Sequence, residues 1–187
     1  MRAVLLIFSL LFSASILAQE VMVLDVLPAG KDAIYKADFR VTGTSMNGYL
    51  AVSHKRNHAL QVSFNSVMGT NLLEMQWKNG RWKTMYVNKS MNRRGLIEML
   101  QEDIMLLFLH FRYDSKAEDR GNLWLWNKRD IHLEMKDSRL VGLRVKTKKH
   151  LPSREVNYIF DDSDAIEEMT VSHTGYAFSL ALKPLKK

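Results

Sequence analysis

Asn92-Arg93-Arg94-Gly95-Leu96-Ile97-Glu98-Met99-Leu100-Gln101-Glu102-Asp103-Ile104-Met105-Leu106-Leu107-Phe108-Leu109-His110-Phe111 places Leu96, Ile97, Leu100, Ile104 and Leu107 at helical spacing, with Asn92 as its N-cap. From Ile104 to Leu109 every residue is apolar, so this half of the helix has no face to offer to water. A helix without a polar face must be enclosed. The sequence on either side therefore has to supply an apolar wall, in the form of a groove or a cavity.

That wall reads as β-structure. Residues 21–36 are weakly helical, with Pro28 as a break or first-turn residue, and from Ala37 the apolar period becomes two. Asn47-Gly48 is the strongest hairpin dipeptide, and a two-residue turn there pairs Val41 with His54, Gly43 with Val52 and Ser45 with Leu50. This register puts Phe39, Val41, Leu50 and Val52 on one face, and Leu60, Val62 and Phe64 continue the alternation in a third strand. A second turn at Asn79-Gly80 sets Trp77 opposite Trp82, Met75 opposite Thr84 and Leu73 opposite Tyr86. Beyond the helix, strand signals resume at Leu123–Trp126, Ile131–Met135, Val141–Val145, Val156–Phe160, Ile166–Val171 and Tyr176–Leu182. The expected fold is mainly β (α+β), an incomplete antiparallel barrel wrapped around or closed by one helical segment. A β-sandwich is the alternative.

At the N-terminus, Arg2 precedes an apolar run, Ala3 to Leu17, that ends in small residues before Gln19-Glu20. This is the pattern of a secretory signal peptide, here placed at residues 1–18, although a cut after Ser15, with Ser13 at the minus-three position, fits the small-residue rule better. The run is shorter than the ~20 residues that span a bilayer. Residues 19–187 then form one domain, with no repeat, low-complexity tract or Pro/Gly-rich linker to divide it. The reading is of an exported, soluble, periplasmic protein.

The chain has no cysteine, which removes disulfide staples and any lipid-anchor cysteine after the leader. The formal charge is +7, with basic clusters at Lys146-Lys148-Lys149 and Lys183-Lys186-Lys187. Such a surface suits an anionic membrane or simply keeps the protein soluble. Nucleic acid is not an expected partner, because export separates the chain from it and no basic-aromatic motif is present.

No constellation of catalytic type emerges, and neither an enzyme activity nor a cofactor is expected. The histidines at 54, 58, 110, 132, 150 and 173 form no metallopeptidase motif. His54 and His58 flank Lys55-Arg56-Asn57, which reads as an exposed turn and not as a metal pair. Gly43-Thr44-Ser45-Met46-Asn47-Gly48 has the second glycine one place too late for a nucleophile elbow and lies in a hairpin. Asp161-Asp162-Ser163-Asp164 lacks the central glycine of a calcium loop and reads as a solvated turn.

The run Ala59 to Met75, with Val67-Met68-Gly69 between an alternating strand and Leu73-Glu74-Met75, resembles the LolB family of outer-membrane lipoprotein receptors. In that family a Pro-Leu-Gly-like loop stands at the equivalent place. Phe39-Arg40-Val41-Thr42-Gly43, the helix near Leu96 to Leu100 and Leu151-Pro152-Ser153 fall in the same order. The resemblance implies the fold shared by LolA and LolB, whose apolar interior receives lipoprotein acyl chains, and it implies partner proteins of an envelope transport system. It makes Phe39, Val41, Leu50, Val52, Leu60, Val62, Phe64, Trp77, Trp82 and Tyr86 candidate lipid-cavity residues. It also makes Val67, Met68 and Gly69 a membrane-insertion loop, and Leu96, Leu100, Ile104 and Leu107 the contacts of a lid helix. Each of these apolar residues is also what an ordinary core would contain. Two departures bear on the role: Val67 replaces the proline, and no cysteine anchors the chain.

Overall fold

The computed structural model describes residues 26–93, 95–146 and 153–185. The leader and its cleavage position lie outside them, as do Lys148, Lys149, Lys186 and Lys187 of the basic clusters. Twelve strands form one antiparallel sheet: β1 (Lys31–Val41), β2 (Thr44–His54), β3 (Leu60–Ser66), β4 (Asn71–Lys78), β5 (Arg81–Val87), β6 (Ala117–Arg120), β7 (Leu123–Trp126), β8 (Arg129–Lys136), β9 (Arg139–Lys146), β10 (Arg154–Phe160), β11 (Ile166–His173) and β12 (Phe178–Pro184). Their order is β5-β4-β3-β2-β1-β12-β11-β10-β9-β8-β7-β6, so β5 and β6 are free edges and the sheet does not close. A sheet of this width twists too far to stay flat. Among the described residues it curls around one helix, α1 (Leu96–Leu107), which a short 3₁₀ turn follows at His110–Tyr113. The incomplete barrel around a helix is thus the architecture found.

Alternation decides which face is dry. Tyr35, Ala37 and Phe39 of β1, Leu50 and Val52 of β2, Leu60, Val62 and Phe64 of β3, and Leu73, Met75 and Trp77 of β4 are all buried. So are Val156 and Tyr158 of β10, Met169 and Val171 of β11, and Leu180 and Leu182 of β12. Their intervening residues point outward and are mostly polar. Ile104 to Leu109 are buried without exception, which is the enclosure their composition demanded. At about 1.5–3 kcal/mol for each fully buried large apolar side chain, this segment is a main source of stability.

Four local expectations are corrected. The first hairpin turns at Thr42-Gly43, both with positive φ (42° and 78°), and not at Asn47-Gly48. Asn47 and Gly48 lie inside β2 opposite Asp38 and Ala37, and Val41 faces Thr44. Gly48 is required for a different reason: a Cβ there would sit 2.0 Å from the Asn65 carbonyl oxygen on β3. Secondly, residues 31–36 are strand, not helix, because Lys31 to Lys36 pair with Tyr49 to His54. Thirdly, the N-cap of α1 lies three residues beyond the expected Asn92. Its N-cap is Gly95, left-handed at φ 77° and with no side-chain cap, while the Asn92 N–H donates to Asn88 O in the preceding turn. Lastly, β6 adds a strand where Ala117-Glu118-Asp119-Arg120 shows no apolar alternation.

Candidate functional site

The concave face and α1 are the natural place to look, because that is where the apolar surface converges. Phe39, Leu50, Val52, Leu60, Val62, Phe64 and Trp77 are buried there, while Val41 and Trp82 are partly buried against the same core. Tyr86 is not among them. A bulge between Glu74 and Met75 shifts β5 by one place, so Leu73 faces Val87, Tyr86 faces Glu74, and Tyr86 is 44% exposed. Trp77 opposite Trp82 and Met75 opposite Thr84 hold as expected, because both lie on the turn side of that bulge.

From α1, Leu96, Leu100, Ile104 and Leu107 are all buried, and Leu100 and Ile104 face the residues of β1 to β4. Little room is left. The gap bounded by Phe39, Leu50, Phe64, Leu73, Leu100 and Ile104 amounts to about 10 Å³, roughly the room of a single water. The interior that the resemblance implies for cargo is therefore occupied by the protein's own helix.

On its other side α1 carries a polar cluster that the apolar periodicity concealed. Asp103 is fully buried and accepts from His173 Nε2 at 2.9 Å, with Arg154 Nε also 2.9 Å from its Oδ1 but off the line of that N–H. Arg154 and Arg129 share Glu102, at 2.5 and 2.7 Å. Burial pushes the Asp103 carboxyl up from its ordinary value, against the pull of His173 and Arg154. Tyr158, from β10, donates its hydroxyl proton to the α1 carbonyls of Leu107 and Leu106, at 3.1 and 3.3 Å. The signal was present in the sequence: Asp103 is seven residues after Leu96 and three after Leu100, an acid on the apolar stripe that only a buried partner could tolerate.

At the far end of α1, Leu109 takes a left-handed φ of 52° while fully buried, in a place glycine usually fills. The next residue, His110, joins a ring cluster: its centroid lies 4.9 Å from His54, 4.7 Å from Trp77 and 5.2 Å from Tyr113, and His58 stacks on Tyr113 at 4.2 Å. His54, expected in an exposed turn, is buried and bonds the Leu27 carbonyl through Nδ1 at 2.7 Å. His110 donates from Nε2 to His58 O at 3.0 Å. Burial first, then the neighbouring His54, lowers the His110 pKa from 6.5 to about 3, so the ring is neutral. Among the described residues no set of His, Asp and Glu side chains has metal-binding geometry.

The Val67-Met68-Gly69 loop joins β3 to β4 and stands clear of the core, with Val67 61% and Met68 91% exposed. Ser66 ties it: its amide donates to Thr70 O, its carbonyl accepts from Gly69 N and its hydroxyl oxygen from Thr70 N. The β11–β12 turn at the same end of the strands exposes Tyr176. Among the described residues no helix is long and apolar enough to cross a membrane.

No family model matches this sequence, and no curated protein sequence does. Two solved structures are similar in fold at 10% identity each. One is an outer membrane lipoprotein-sorting protein domain from Vibrio parahaemolyticus, with a TM-score of 0.42 and a match covering 86% of either chain. The other is the lipoprotein LppX of Mycobacterium tuberculosis, with a TM-score of 0.27, covering 82% of this chain and 85% of that one.

Proposed function

We propose that this protein is a soluble periplasmic carrier that takes acyl chains of lipoproteins or lipids into the space α1 now fills and passes them to or from a membrane. The observation that carries the reading is the relation of α1 to the sheet. The inner face of β1 to β4 is apolar, and α1, which covers it, contributes no strand hydrogen bond, so on that side it can be displaced without breaking the sheet. An acyl chain entering the vacated space regains about 0.8 kcal/mol for each methylene it buries, which offsets the loss of helix packing. Phe39, Val41, Leu50, Val52, Leu60, Val62, Phe64, Trp77 and Trp82 line that space. Leu96, Leu100, Ile104 and Leu107 are the residues α1 withdraws. Met68, with Val67 and Gly69, touches the bilayer, and the lysines orient the molecule on anionic lipid. No catalytic step is assigned.

A second reading has an observation of its own. With about 10 Å³ of interior gap, the same fold serves as an envelope assembly module that binds another protein and carries no lipid. Solvent extraction and mass spectrometry of protein purified from its own envelope separate the two. Recovered acyl species are the outcome the carrier requires; their absence, with α1 amides protected from exchange in the presence of added lipid, leaves the assembly module.

A further inference from the structure

A groove of about 550 Å³ opens beside the N-terminal half of α1, between it and the β1–β2 and β11–β12 turns. Its volume is within the roughly 300–1,000 Å³ of small-molecule sites. Val41, Leu96, Met99 and Phe178 give it an apolar floor. That floor is continuous with the interior, because Phe178 stacks edge-on against Phe39 with ring centroids 5.1 Å apart, and Phe39 bounds the inner gap. The Phe39–Phe178 pair is the wall between the two spaces.

The rim of the groove calls for an anion. The α1 N-terminus opens on it with Gly95 as an N-cap that supplies no side-chain acceptor; the Leu96 amide donates to Arg93 O and the Met99 amide to Gly95 O, and the positive end of the helix dipole faces the groove. Arg93, Arg129 and Arg154 line it against Glu98 and Glu102. Arg129 reaches Glu102 through one nitrogen, so most of its N–H donors remain for a ligand. Arg93 is exposed and has no polar side-chain partner among the described residues. His173 also lines the groove, fully buried; with Nε2–H on Asp103, the unpartnered Nδ1 of the neutral ring is an acceptor and takes no part in holding the head.

We propose that this groove is the port for a long-chain carboxylate, whose head pairs with Arg93, Arg129 and the α1 N-terminus and whose tail passes Phe178 into the interior. This inference rests on the carrier reading and gives it a site and a ligand class. A hydrocarbon tail continues inward from an apolar floor, and an oxyanion satisfies the donors that α1 and the arginines leave open. The port lies at the same end of the strands as Met68 and Tyr176, so a chain crossing from a bilayer does not cross water.

The test is a titration of delipidated protein with [1-¹³C]palmitate followed by carboxyl NMR, beside 1-monopalmitoylglycerol, which has the same chain without the charge. Palmitate is expected to bind about tenfold more tightly than the glyceride, and Arg129→Gln and Arg93→Gln each to remove about that factor. Phe178→Trp is expected to slow palmitate association severalfold with an unchanged circular dichroism spectrum. Met85→Gln, in the separate groove of about 580 Å³ on the outer face, changes neither. Equal binding of the two ligands, or unchanged palmitate affinity in both arginine variants, overturns the port. If acyl species are nonetheless recovered from native protein, the carrier reading stands without it. If neither ligand binds and nothing is recovered, both fall.

Discussion

On the side of β1 to β4, α1 meets only hydrocarbon: Leu100 and Ile104 pack against Phe39, Leu50, Phe64 and Leu73, and Phe108 stacks edge-on with Tyr35. On the side of β8 to β11 it meets charge and directed hydrogen bonds, with Asp103 and Glu102 held by His173, Arg154 and Arg129, and the Leu106 and Leu107 carbonyls held by Tyr158. The difference teaches where exchange can occur. Dispersion contacts have no direction, so another apolar body can replace α1 against β1 to β4. An acyl chain cannot replace two carboxylates held among two guanidiniums and an imidazole. On the carrier reading proposed above, the polar half is the pivot and the apolar half the exchangeable wall.

The largest effect comes from breaking the pivot. Asp103→Ala leaves His173 and part of Arg154 buried without their acceptor, and the expected loss is about 3–5 kcal/mol of unfolding free energy by urea denaturation. A loss under 1 kcal/mol would mean that the cluster holds α1 no better than a surface pair does. Next is the apolar wall. Leu100→Ala should cost about 2–4 kcal/mol by the same measurement, and palmitate should restore more stability to this variant than to the wild type, because the added void faces the exchangeable side.

A third test bears on the lower end of α1. His110 ionises near pH 3 in the folded protein against 6.5 ordinarily, so between those values the unfolded chain binds a proton that the folded chain refuses. Its stabilisation is complete above pH 6.5 and is lost as pH falls, by about 2 kcal/mol at pH 5. His110→Gln keeps a donor for His58 O and should flatten the stability profile between pH 6.5 and 5 by that amount. Using the difference between the two proteins cancels the contribution of Asp103, and the measured change belongs to His110 together with its neighbours His54 and His58. An identical slope in both would place the acid sensitivity elsewhere.

The two halves were not equally legible. Alternation and Asn79-Gly80 gave the face and register of β4 and β5 up to the bulge. Asn47-Gly48 misled because glycine serves two ends: here it admits the β3 backbone, while Thr42-Gly43 makes the turn. The interior face was still read correctly, since the observed register sums to 85 (Tyr35 with Leu50) and the expected one to 95 (Val41 with His54), an even slip that preserves parity. The polar half stayed hidden because its partners, Asp103 and His173, are 70 residues apart and no local pattern joins them. The cluster of His54 and His110 escaped for the same reason. A filled interior was also beyond the sequence, which specifies that α1 is enclosed but not how tightly.

The smallest effect should come from Tyr158→Phe, and it is the most telling about motion. The hydroxyl serves two carbonyls at the C-terminal end of α1, where helix carbonyls lack intrahelical donors, although Leu106 O also accepts from the Leu109 amide. Burial pushes the Tyr158 pKa well above its ordinary value, so the hydroxyl remains a donor at any working pH. Losing it leaves the ring packing intact and should cost about 1 kcal/mol. The informative reading is local: if the helix pivots on its polar side, hydrogen exchange in Tyr158→Phe should quicken at Ile104 to Leu107 more than at Met99 and Leu100. Faster exchange confined to the N-terminal turn would instead put the pivot at Leu109, whose left-handed backbone already bends the chain there, and the division between holding half and yielding half would have to be redrawn along the helix axis.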